Sequence, residues 1–583
     1  MNQAKVQWQG IIHEAYISMQ ETYAKDDFLW RLLVKPFRGT PDDAKLSWKG
    51  EFWGKFMRGS SLICAYTQDD ELYKLLENSV RDMLSTQDEL GRFSTYSVEN
   101  EFKGWDLWCR KYVMLGMQFF MEICRDDLLK AQIIEALVKH ADYIIERVGY
   151  EEGKIPFHET SQWWCGINSV SLLQPMVKLY KQTKHERYLT WVKNTIAGQQ
   201  ANGENIFATA FENKKAPFEY PVRKAYETIS CFEGLLEFYE VVGDEKCLQA
   251  CQRYADKLLE TDFTVIGGTG CYDEHLDNAT KTQVVHTEWD KQETCVTVTL
   301  CKYLAQLYKH TGKVEYLDAI ERAFYNLYLG AYNDGSYVHT EIVPMFYSYS
   351  PIYNEHRWLK TGGNQSLSSY AYFGCCIAIG FAGIGILPWI ALTEKDGIAT
   401  LGFYEGGRYA LNGEKVMHLR VETGYPYDGK VQVCVEKAEN IQTLRLRVPE
   451  WCDEYLLKKN DTMVSVPAVD GYVQMEVKGG DTLVLDMKMP YRITYSKSVN
   501  PDVTHLFAVQ KGPIVLAADS KEVDLTAKHT LCLDARGYAI GESEDGKVHM
   551  LQQIDRETLI LREYKSTAKE YYAKRNMTVW LEK

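Results

Sequence analysis

The chain has 583 residues, long enough for several domains, and 45% of them are hydrophobic, enough for sizeable cores. Its 66 lysines and arginines face 80 aspartates and glutamates, a formal charge of -14 that argues against a polyanion-binding protein. Aromatic residues make up 13%, with 14 Trp and 39 Tyr, which suits either stacking on sugar rings or a large tyrosine-rich core.

The opening "MNQAKVQWQGIIHEAY" lacks the basic segment and apolar run of a secretory signal, and no apolar stretch is long enough to span a bilayer. The 15 cysteines are odd in number and follow no short repeating framework, which fits reduced thiols and a cytoplasmic location. Most, such as Cys64, Cys124 and Cys247, read as small buried apolar residues.

The first two-thirds of the chain reads as helices. "DDELYKLLENSVRDMLSTQ", from Asp69, puts Leu72, Leu75, Leu76 and Val80 on one stripe at helical spacing, and "LLKAQIIEALVKHADYIIERV", from Leu128, repeats the pattern. "CFEGLLEFYEVVGDEKCLQACQRYADKLLE", from Cys231, breaks into two helices at Gly243, with Asp244 as the N-cap of the second. "TCVTVTLCKYLAQLYKHTG" and "VEYLDAIERAFYNLYLGAY" form another pair, broken at Gly312. Repeated helix–turn–helix units over residues 1–385 predict an (α/α)6-type barrel, and the fixed period of a linear solenoid is not found.

After about residue 385 the pattern changes. "GIATLGFYEGG", "KVMHLRVETGY", "KVQVCVEKA", "TLRLRVPEW" and "YVQMEVKGGDTLVLDMKM" alternate or are β-branched, with Gly, Asn and Asp between them. Residues 386–490 are expected to form a β-sandwich and 491–583 a second, smaller sandwich-like domain.

Chemistry concentrates in "GGTGCYDEHLDNATKTQVVHTEWDKQETC", residues 267–295, a polar connector longer than compact domains usually carry. It holds Asp273, Glu274, His275, His286, Glu288, Asp290, Glu293 and Cys295, and runs straight into a helix. At a helix start the backbone is not yet helical, so Glu293 and Cys295 can face one point, and a thiolate there gains from the helix dipole. Some eighty residues on, "YFGCCIAIG" sets Cys375 beside Cys376, neighbours that are poor disulfide partners for each other. One carboxylate and three thiolates make a set that zinc accepts. The spacing also suits a plainer account, in which the cysteines are buried small residues and Glu293 is a helix-start carboxylate.

The "ETC" at a helix start, the later "FGCC" and the upstream glycine-rich loop with its glutamate resemble glycoside hydrolase family 127, the β-L-arabinofuranosidase family. "GEFWGKFMRGSSLICAYTQDDELYKLLENSVRDMLSTQDELGRFSTY" resembles the family's N-terminal helix pair, and "ERAFYNLYLGAYNDGSYV" the stretch after the ETC helix. "LRLRVPEWC", "KGGDTLVLDMKMPYRI" and "VQKGPIVL" resemble its β-sandwich, so the likeness covers most of residues 40–520. It implies a retaining exo-glycosidase acting on a terminal sugar of plant-type oligosaccharides, with Zn2+ held by Glu293, Cys295, Cys375 and Cys376. Cys375 is then the nucleophile and Glu274 the acid/base, with Glu288 in reserve.

The chain departs from the family where it reads "CCIAIG" instead of a Cys-Cys followed by prolines and an asparagine. Trp105, in "GWDLWCRKY", stands where a sugar-facing histidine is expected, and another expected histidine is replaced in "WWCGINSV" around Cys165. The sugar-reading residues become Trp105, Asp273, His275 and Arg110, and Arg110, Lys111 and Arg223 are cations suited to a carboxylated sugar. The expected partner is an oligosaccharide, with no nucleic acid and no membrane, and a homodimer is one admissible assembly. Two other readings stay open: a metal-free (α/α)-barrel glycosidase or sugar epimerase using paired carboxylates, and a non-catalytic glycan-binding relative.

Overall fold

The computed structural model describes residues 2–284, 292–333, 345–357, 365–368, 371–498, 500–554, 556–569 and 575–583. Among these, the helices Gly50–Thr67, Asp106–Ile123, Leu173–Thr183, Ala225–Val242, Thr294–Thr311 and Cys375–Gly385 pack each against the next. The last packs back against the first, which closes the ring and excludes a solenoid. Outer helices Asp70–Leu84, Asp127–Arg147, Glu186–Gly198, Glu245–Thr261 and Val314–Ala323 follow the first five inner ones. Ile11–Met19 packs on both the first and the last inner helix.

Composition sorts inner from outer. Residues 50–64 of the first inner helix are buried without a break, whereas Asp70–Leu84 buries only the stripe of Leu72, Tyr73, Leu76, Ser79, Val80 and Met83. The expected breaks occur at Gly243 and Gly312, which end their helices at φ +68° and +70°. Asp244 caps the next helix by accepting from Lys246 N at 3.0 Å. The first two inner helices cross at Gly54, where an added Cβ would lie 1.8 Å from the Tyr112 carbonyl oxygen.

The β-rich part begins with a sandwich of two sheets. One runs in the order Asn2–Gln3, Leu392–Lys395, Ile398–Leu401, Thr443–Arg447, Tyr472–Glu476. The other runs from Thr462–Val464 through Tyr455–Lys459, Thr482–Met487, Lys430–Glu439, Val416–Thr423 and Gly407–Leu411 to Lys5–Trp8. The strands at the head of the chain, in a stretch expected to be helical, thus complete both sheets. Lys5–Trp8 alternates exposed and buried residues, and Val6 and Trp8 turn inward. A third sheet follows, centred on Phe507–Lys511, Ile514–Asp519 and Leu559–Glu563, and Glu355–His356 joins it through Asn576–Thr578. Fully buried Arg447 reaches from the sandwich to Asp318 (3.2 Å) and Glu321 on the helix Val314–Ala323. No helix among the described residues is long and apolar enough to cross a membrane.

Candidate active site

The inner helices point their N-terminal ends at one cavity of about 290 Å³. Glu51 and Lys55 enter from the first, Trp105 and Trp108 from the second, Trp163 and Trp164 from the segment before the third, and Lys224, Tyr226 and Glu227 from the fourth. Glu293 precedes the fifth and Cys375 opens the sixth. The aligned peptide dipoles at these ends favour anionic side chains and ligands.

At the floor of the cavity Glu293, Cys295, Cys375 and Cys376 bring their donor atoms within 4.8 Å of one another, all four residues being buried. Glu293 lies in the two-residue strand Gln292–Glu293, paired with Tyr349–Ser350, and its extended backbone (φ -86°, ψ 134°) turns its carboxylate toward the side that Cys295 faces from the first helical turn. The Cys375 and Cys376 sulfurs are 3.9 Å apart and lie 3.8 and 3.6 Å from Glu293 Oε1. In a tetrahedral site with arms of ~2.3 Å, ligand sulfurs stand about 3.8 Å apart. Burial and then Glu274 push the Glu293 carboxyl well above its usual range, and burial with hydrogen bonding to Cys375 and Cys376 does the same to the Cys295 thiol. Four acidic groups so placed resist ionising together unless a cation supplies the countercharge. Spacing, burial and donor chemistry all fit a metal ion.

Glu274 stands beside this cluster. Asp273 and Glu274 both adopt positive φ, +49° and +62°, and the turn is tied down where Ala225 N donates to Glu274 O at 2.8 Å. Cys295 Sγ lies 3.4 Å from Glu274 Oε1, and Lys224 Nζ lies 2.5 Å from Glu274 Oε2. Burial pushes the Glu274 carboxyl up, but Lys224 and the neighbouring donors outweigh it and hold it at about 2. Glu227, one turn along from Lys224, is pushed by burial and by Glu274 up to about 8. Opposite, Lys55 Nζ pairs with Glu51 at 2.8 Å and sits 4.5 Å from the ring centre of Tyr226, while Trp108 Nε1 donates to Glu51.

Four half-buried indoles surround the upper part. Trp105 lies 6.1 Å from Trp48, 5.9 Å from Trp163 and 5.3 Å from Trp164, ring centre to ring centre. Trp164 and Cys165 take φ of +48° and +52°, unusual for residues with side chains, and Gly166 follows at +70°, where a Cβ would strike the Phe157 carbonyl.

Of the sugar-reading residues expected from sequence, Trp105 and Asp273 line the cavity. His275 lies beside it, its ring 2.9 Å from the Asp273 carbonyl oxygen. Arg110 does not reach the cavity. It is fully buried behind the wall, paired with Asp106 (2.8 Å) and Glu101 (2.9 Å), because its helix position turns it toward the second helical layer. Lys111 is buried over Trp108 and Tyr112, and Arg223 is exposed while Lys224 beside it turns inward. Glu288 lies outside the described residues. Sequence reasoning missed Glu51, Lys55, Lys224, Glu227 and Tyr349. The signal available for the first two was a Glu–Lys pair four residues apart inside the otherwise apolar "GEFWGKFM".

The model of the β-L-arabinofuranosidase GH127 catalytic domain matches residues 11–385, and that of the GH127 middle domain matches 400–491. A GH127 β-arabinofuranosidase of known structure superposes with a TM-score of 0.78 at 18% identity, covering 100% of this chain and 97% of its own. A GH127 β-L-arabinofuranosidase from Geobacillus stearothermophilus T6 gives 0.74 at 18% identity, with both chains covered in full. A further structure, described as a glycoside hydrolase, gives 0.71 at 18% identity and covers 100% of this chain and 98% of its own. No curated protein sequence matches. With the catalytic-domain model spanning well over half of its length, the chain belongs to glycoside hydrolase family 127, the β-L-arabinofuranosidase family.

Proposed function

We propose that the protein is a retaining exo-glycosidase that removes a terminal β-L-arabinofuranoside, or a modified or carboxylated relative of it, from plant-type oligosaccharides in the cytoplasm. Cys375 is the nucleophile, and Glu293, Cys295, Cys375 and Cys376 hold a zinc ion. Bound zinc would keep the sulfurs deprotonated at neutral pH. The observation that carries the assignment is the different exposure of the sulfurs: Cys375 lines the cavity at 8% exposure, whereas Cys295 and Cys376 are at 0%. Cys375 Sγ attacks the anomeric carbon, and the C–O bond to the leaving group breaks as that oxygen takes a proton from the acid/base glutamate. The same glutamate then removes a proton from the water that displaces sulfur, so the anomeric configuration is retained.

Glu274 is the first choice for that glutamate because it flanks the sulfur cluster. Its tie to Lys224 fixes the position beside the cluster from which it would act. Glu227 is the second reading, favoured because it lines the same cavity and burial and Glu274 push its carboxyl up to about 8. Lys55 and Glu51 form the opposing wall and orient hydroxyls of the bound sugar. The metal-free and binding-only alternatives leave the packing of one carboxylate and three thiols without a purpose.

The test is metal analysis of protein purified without added metal or chelator, joined to turnover of 4-nitrophenyl β-L-arabinofuranoside followed by NMR. One zinc per chain, lost in Cys375→Ala/Cys376→Ala, and a first-formed product of retained configuration are expected. Metal-free, freshly reduced wild type would end the thiolate mechanism. Glu274→Gln and Glu227→Gln, assayed with good and poor leaving groups, separate the two glutamates, since loss of the acid harms poor leaving groups most.

A further inference from the structure

The cavity has two ends of different character. The deep end is polar and closed: Glu51, Lys55, Glu227 and Cys375 are each at most 8% exposed. The outer end is walled by Trp48, Trp105, Trp163 and Trp164, all only partly buried. These indoles come from three separate stretches of chain, and none is needed to complete the ring of inner helices. Apolar aromatic surface held open to solvent in this way marks a place where something flat is meant to lie.

Two further observations single out Trp164. Its backbone and that of Cys165 are held at positive φ, a conformation with a steric cost for bulky residues, and such strain gathers at ligand-clamping positions. Its ring lies 4.9 Å beneath Lys224 Nζ, the group that holds Glu274. The indole wall thus starts where the leaving oxygen would be protonated and runs outward from it.

We infer that Trp105, Trp163 and Trp164 form the leaving-group subsite, and that the enzyme takes glycosides whose leaving group presents a flat ring face. That face is either the C–H side of a pyranose or an aromatic ring. The inference rests on the glycosidase reading above, which sets the sugar to be cleaved at the deep end over Cys375. A flexible chain leaving group would gain little from three rigid indoles, whereas a ring gains dispersion contacts over its whole face.

The experiment compares kcat/KM for 4-nitrophenyl and methyl β-L-arabinofuranosides in wild type, Trp105→Ala, Trp163→Ala and Trp164→Gly, each checked for folding by thermal melting. Glycine at 164 accepts the positive φ, and partly exposed Trp163 can be cut back without opening a core. The ratio of aryl to methyl kcat/KM is expected to fall at least tenfold, mostly through KM for the aryl glycoside. An equal fall on both substrates, or an unchanged ratio in all folded variants, overturns the inference.

Should wild type hydrolyse neither glycoside, the choice of sugar fails, and the subsite is judged by itself with saturation-transfer NMR on phenol and on xylobiose. Transfer to phenol assigns an aryl leaving group and transfer to xylobiose a pyranose, provided it is lost in the variants. Transfer to neither overturns the subsite.

Discussion

Lys224 Nζ and Glu274 Oε2 lie 2.5 Å apart, joining the start of an inner helix to the positive-φ turn that carries the proposed acid/base residue. Both side chains are largely buried, at 9% and 14% exposure, so the pair is a fixed strut and not a surface contact. Replacing Lys224 with Met frees the carboxylate to move, and a displacement of ~1 Å at a catalytic group costs about a hundredfold in rate. The expected outcome for Lys224→Met is a kcat/KM on 4-nitrophenyl β-L-arabinofuranoside lowered by about that factor, with KM little changed. A loss entirely in KM would make Lys224 a sugar-binding cation instead.

Removing metal should weaken the fold. The four donor groups come from the starts of two neighbouring inner helices, Thr294–Thr311 and Cys375–Gly385, so a shared ion would tie part of the ring together. A ligand that binds only the folded state raises stability as its concentration exceeds its dissociation constant. Treatment with a strong chelator is expected to lower the melting temperature by several degrees, restored by stoichiometric zinc, and to leave Cys376→Ser unaffected. Scanning fluorimetry decides it.

Gly54→Ala tests the closeness of the first two inner helices. The added methyl group has 1.8 Å to the Tyr112 carbonyl and must push backbone from backbone. A loss of about 3 kcal/mol or more is expected from such overpacking. Activity should fall with it, because the same two helices present Glu51, Lys55 and Trp108 to the cavity. Urea titration and a parallel assay measure the two effects.

Glu405 supplies a pH signature away from the active site. Burial and then Glu14 push its carboxyl up to about 8, against a weaker opposing effect of Lys565. Below about pH 4.5 the carboxyl is protonated in folded and unfolded chains alike. Between there and about pH 8 the folded state keeps the proton that the unfolded state releases, so stability falls as pH rises, by up to about 5 kcal/mol. Glu405→Gln is expected to melt higher than wild type at pH 9 and to match it near pH 4. Parallel melting curves across that range would expose an error in sign.

The cluster of Glu293, Cys295, Cys375 and Cys376 was legible through the family resemblance, since the spacing of an acid and three thiols at two helix starts also suits plain buried residues. The breaks at Gly243 and Gly312 were legible because a glycine after a periodic apolar run is a local stop signal. What stayed hidden depends on ring closure. Glu51 and Lys55, four apart in an apolar stretch, read as a buried pair, but only the neighbouring helices decide that they face a cavity. Arg110 looked like a sugar-reading cation because the adjoining Trp105 faces the cavity. Five positions later Arg110 has turned into the wall, where Asp106 and Glu101 hold it. Lys224 and Arg223 are neighbours, and only the entry angle of one helix decides which faces the cavity.

The strand Lys5–Trp8 pairs with Gly407–Leu411, some four hundred residues further on. At about 5–20 residues per second, the ribosome delivers the partner roughly 20–80 seconds after the strand itself. Through that interval the first strand is a loose end, while the helical ring between the two has time to assemble. Its pairing is then a clasp: residues 2–8 are fastened to strands beyond residue 385, and the helical ring is the stretch of chain between the two fastened ends. Deleting residues 2–8 would leave every residue that lines the cavity in the chain and remove the fastening.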